Sequence, residues 1–68
     1  MKIIWELGDH AVIDDDMEAG PLAAEVVEIK AFLQDKKSAI VKCTNVLSDN
    51  YGREDIVDVG FLNAAYTA

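Results

Sequence analysis

The densest run of side chains able to do chemistry is Asp14-Asp15-Asp16-Met17-Glu18, with Glu25 following it. Carboxylates at the first, third, fifth and twelfth positions of this stretch imitate the oxygen ligands of a calcium loop. The imitation is incomplete. The sixth position, where a glycine makes the sharp turn, holds Ala19; Gly20 comes one residue late and Pro21 follows it. A cage needs the backbone to wrap the ion, so a weak calcium-binding module is the third reading, behind a hydrated acidic loop. No metal ligand is assigned.

His10 is the single histidine and Cys43 the single cysteine, so neither has a second soft ligand for zinc within the chain. A nucleophilic Cys43–His10 pair would need both in one cleft with an orienting acid such as Asp9, and their spacing gives no sign of it. Cys43 lies in an apolar stretch, where a thiol serves as a small core side chain. Paired carboxylates do acid/base work only when one of them is desolvated, and a run such as Asp14-Asp15-Asp16 is hydrated. The chain also has no glycine-rich phosphate loop and no nucleophile elbow. No catalytic residue and no cofactor are expected; the protein is read as a binder, not an enzyme.

The elements that must position these groups follow from periodicity. Lys2 to Leu7 alternates, with Ile3, Trp5 and Leu7 on one face, and reads as a strand; Gly8-Asp9 supplies a turn and His10 to Ile13 a returning strand. Asp14 to Gly20 is an acidic loop. From Pro21 to about Lys37, Leu22, Val26, Ile29 and Leu33 recur at spacings of four, three and four, which predicts an amphipathic helix with proline in its first turn. Ser38 to Leu47 reads as a central strand with Ala39, Val41, Cys43 and Leu47 facing the core. Ser48 to Asp55 is dense in turn formers, and Ile56 to Leu62 alternates again as its hairpin partner, with a helical ending at Asn63–Tyr66 left open. The expected fold is α+β: one amphipathic helix on a small antiparallel sheet of three to four strands, in the order ββαββ or βαββ. Residues 1–68 form one domain.

Charge narrows the partner. Thirteen acids against six bases leave a net charge of −7, so direct binding to nucleic acid or anionic lipid is disfavoured and a basic protein surface is attracted. The short apolar run at the N-terminus is not a signal core, and no stretch is long enough to span a bilayer, which gives a soluble, cytoplasmic expectation. The residues nominated for partner binding are Asp14, Asp15, Asp16, Glu18, Glu25, Glu28, Asp49, Glu54 and Asp55 for charge. Tyr51 joins them as an aromatic anchor in a polar loop. In size and charge alone the chain resembles the small acidic anti-restriction and anti-CRISPR proteins of bacteriophages and mobile elements. That resemblance implies an inhibitor that covers a basic, nucleic-acid-binding surface of a larger protein. The alternative is an assembly module, a homodimer or subunit contact made through an edge strand.

Overall fold

The computed structural model describes residues 4–65, and its regular elements are strands. β1 (His10–Ile13), β2 (Val26–Leu33), β3 (Ser38–Cys43), β4 (Glu54–Asp58) and β5 (Leu62–Ala64) form one antiparallel sheet in the order β4-β3-β2-β1-β5. Single 3-10 turns at Met17–Ala19 and Val59–Phe61 are the only helical pieces among the described residues. The fold is all-β, which corrects the α+β expectation of one helix on three to four strands.

The correction centres on residues 21–37. Pro21 to Ala24 make a turn, Val26 to Leu33 are β2, and Gln34 to Lys37 turn back into β3. The four-three-four stripe does not form one buried face: of its residues only Leu22, from the preceding turn, and Ile29 are in the core, while Val26 and Leu33 alternate with the inward Val27 and Phe32. Before a β-bulge in β2, Val27 and Ile29 point inward opposite Cys43 and Val41; the register then shifts between Ile29 and Ala31, so Phe32 faces the core opposite Ala39. One extra residue, Lys30, moves the inward set from odd to even positions, so the strand lacks the unbroken alternation that would have marked it. Val26, Val27 and Ile29 are β-branched and suit the pleated surface better than a helix.

The other expectations divide. His10–Ile13 is a strand, Ala39, Val41 and Cys43 do face the core, and β4 is the hairpin partner of β3. The first predicted strand is absent at residues 4–7, which have no regular structure or begin a turn, and its residues 1–3 lie outside the described part. β3 stops at Cys43, leaving Leu47, expected in the core, 91% exposed. The strand expected from Ile56 to Leu62 instead starts at Glu54 and breaks at the 59–61 turn, and Leu62–Ala64 form β5 where a helical ending at Asn63–Tyr66 had been left open; Tyr66 is not described.

β4 and β5 are the two edges, about 19 Å apart if a sheet of this width were flat. A three-residue 3-10 turn rises only about 6 Å. The sheet therefore curls. The linking turn is pinned at both sides, Val59 N–H donating to Lys37 O at 3.0 Å and Asp14 N–H donating to Phe61 O at 2.8 Å. The inner face holds Ala11, Ile13, Val27, Ile29, Ala39, Val41, Cys43, Val57 and Leu62, and the β1–β2 connection adds Ala19 and Leu22. Leu22, fully buried, fills from a loop the place a helix was expected to fill. No helix among the described residues is long and apolar enough to cross a membrane.

Candidate functional site: an acidic end built from two connections

In an antiparallel meander successive hairpins alternate ends, so the β1–β2 and β3–β4 connections emerge from the same end of the sheet. Residues 14–25 and 44–55 hold eight of the thirteen carboxylates and one cation, Arg53. The rest of the sequence holds five carboxylates and five cations. The whole net charge of −7 thus resides in these two segments.

Side chains tie the two connections together. The Glu25 carboxylate accepts hydrogen bonds from Ser48 Oγ and, at 3.1 Å, from Asn50 Nδ2. Ser48 Oγ also accepts from Asn50 N–H at 3.0 Å, and Thr44 N–H donates to Val26 O at 3.0 Å. The Ser48 hydroxyl, then the Asn50 amide, with a smaller contribution from Asn45, hold the Glu25 carboxyl below the usual glutamate range, outweighing partial burial. A glutamate nominated for surface charge is a structural strut. Its partners Ser48 and Asn50 were read only as turn formers, although Ser-x-Asn between two strands is the composition of a loop that bonds its own backbone.

Within the first connection Asp16 caps the 3-10 turn by accepting from Glu18 N–H at 2.9 Å, and Asp14 accepts from Asn63 Nδ2. Gly20, at φ +90°, passes Asp55 so closely that a β-carbon there would lie 3.2 Å from Asp55 Oδ2. The chain at Gly20 therefore seats Asp55 against the acidic loop. Asp15, Glu18 and Asp49 are exposed, and none of their carboxylates takes part in the described hydrogen bonds.

One nominated acid, Glu28, belongs elsewhere, and a second, Glu54, opens β4 at the margin of the acidic end. Glu28 lies on the outer sheet face, paired with Lys30 at 3.2 Å, the one ion pair among the described residues. Lys42 stands in register between Glu28 and Glu54, so a cation flanks each of these acids across the strands. The calcium pattern is also dispersed, since Asp14, Asp16 and Glu25 bond to three different segments. Among the described residues no three His, Cys, Asp or Glu side chains gather as a metal-ligand group. His10 is exposed while Cys43 is buried on the inner face, so the two do not share a cleft.

The acidic end is not uniformly polar. Met17 is 97% exposed, Val46 73% and Tyr51 60%, and with Leu47 they make four of the seven exposed large apolar side chains described. Met17 stands on the 3-10 turn, and Leu47 N–H is held by Asn45 Oδ1 at 3.0 Å, which presents the Val46-Leu47 pair at a loop tip. Sequence reasoning nominated only Tyr51 as an anchor, because Val46 and Leu47 read as the end of the central strand and Met17 as one residue of the acidic loop.

No protein-family model matches this chain, and comparison with curated proteins and with solved structures found no match.

Proposed function

We propose that this chain is a protein-binding module that presents its acidic end to a basic surface of a larger protein, in the manner of an inhibitor covering a nucleic-acid-binding site. The observation that carries this reading is the confinement of the net charge to residues 14–25 and 44–55. Charge carried for solubility alone works equally well when spread over the surface. Gathered at one end, it makes a field that steers encounter with a cationic partner. The exposed Met17, Val46, Leu47 and Tyr51 supply what charge lacks, apolar area that a partner can desolvate. Nucleic acid is repelled by the same end, so the partner in this reading is the protein that binds it.

The test uses two variants of equal net charge. Asp15→Lys with Glu18→Lys alters the acidic end; Glu6→Lys with Asp35→Lys alters exposed acids outside it. Each is immobilised beside the unaltered chain for salt-stepped capture from host lysate and mass spectrometry. A nucleic-acid-binding protein retained by the unaltered chain and the second variant, released by salt and lost by the first variant, supports the reading. Equal retention by both variants, or recovery of the chain alone at every salt step, overturns it.

A further inference from the structure

The outer edge of β4 carries backbone groups that no other described strand uses. Cys43 N–H donates to Arg53 O at 2.8 Å and Val59 N–H donates to Lys37 O at 3.0 Å, one on each side of the β3–β4 ladder. Pairing therefore alternates so that Asp55 and Val57 bond to β3 while Glu54, Ile56 and Asp58 direct N–H and C=O outward. Ile56 N–H is held at 2.9 Å by the Oδ1 of its own neighbour Asp55, and the Ile56 side chain is 59% exposed.

Charge decides what fits this edge. A second copy docking about a two-fold axis at Ile56 would set Glu54 opposite the other copy's Asp58 twice over, and like charges directly opposite destabilise a strand pair. An extended basic segment meets the reverse situation. We propose that the β4 edge accepts, as a sixth antiparallel strand, a peptide with cations opposite Glu54, Asp55 and Asp58 and apolar residues opposite Ile56 and Val57. Read from its N-terminus such a segment is Lys-Val-Val-Lys-Lys. Its carbonyl takes the Ile56 N–H from Asp55, and the freed carboxylate faces the incoming cation. Backbone bonds supply the affinity and the alternating side chains the selectivity, the general logic of strand addition. This deepens the acidic-module reading, on which it rests for the basic character of the partner.

The probe is a blocked Lys-Val-Val-Lys-Lys peptide with Gly-Ser flanks, titrated into the full 15N-labelled chain. A second peptide of the same sequence is N-methylated at the amides that would face β4; it keeps every charge and loses those donors. The expected result is shift changes at the Glu54, Ile56 and Asp58 amides, slowed exchange at Ile56, and binding of the methylated peptide at least about tenfold weaker. Equal binding of both peptides, with shifts confined to residues 14–25 and 44–52, overturns strand addition and leaves the acidic-end reading standing. No binding of either peptide also overturns strand addition, and the charge-swap capture then judges the acidic end by itself.

Discussion

Three residues show how local physics sets the behaviour of the site. Glu25 is bonded to Ser48 and Asn50 as a carboxylate, so its folded pKa lies below its unfolded one. A depressed carboxyl contributes stability that is fully present above the unfolded pKa, about 4.3, and is lost as pH falls through the folded value. Glu25→Gln is expected to flatten the acid limb of the stability–pH curve below about pH 4.3, as measured by urea unfolding at stepped pH. At Gly20 an alanine would sit at a φ of +90° and press on Asp55 Oδ2. Gly20→Ala should destabilise by about 1–2 kcal/mol, and pairing it with Asp55→Ala should recover the steric part but not the backbone part. Cys43 is fully buried on the inner face, so a thiol reagent should label it no faster than the chain opens.

At the scale of elements, the β2–β3 turn stores strain. Gln34, Asp35 and Lys36 all lie at positive φ, and Lys37 N–H returns to Gln34 O at 3.1 Å. Asp35 and Lys36 thus have the dihedral signs of a type I′ turn, which favours Asn-Gly. Asp35→Asn with Lys36→Gly is expected to raise stability by about 1 kcal/mol in urea unfolding. That net gain already allows for losing the Lys36 ammonium 5.2 Å over the Phe32 ring. Leu22 belongs to a connection yet behaves as core. Leu22→Ala should cost about 2–5 kcal/mol, as much as a truncation within a strand, where a surface loop leucine such as Leu47 should cost less than about 0.5. The bulge at Lys30 explains why the longest strand was the hardest element to read. Its inward residues change parity midway, and that parity is decided by the partners Val41 and Ile40 on β3, not by β2 itself.

At the scale of the whole molecule, crowding the net charge into two connections makes the acidic end repel itself, held together by the Glu25–Ser48–Asn50 network. Raising salt through the range where the Debye length falls below about 10 Å should increase the denaturation midpoint, and the Asp15→Lys, Glu18→Lys variant should show a smaller increase. By itself the sequence determined the local quantities: the sign and size of the charge, the turn-forming connection after Ser48, and the strands at His10–Ile13 and Ser38–Cys43, whose alternation or β-branching needs no distant partner. Most of the acidic end was legible in the same way, since Asp15, Glu18 and Asp49 are exposed wherever their loops sit. What only the tertiary structure decided depends on residues far apart in the chain. The β3 register fixes the bulge that turns an apparent helix into β2. The curl of the sheet lets three residues join its two edges and puts Leu22 in the core. The return of residues 44–52 against residues 21–25 makes Glu25 a strut, not free charge, and gathers the remaining carboxylates at one end. Periodicity records which residues want to be buried; which face buries them is settled by hydrogen-bond register across the sheet, and that is a property of pairs of strands.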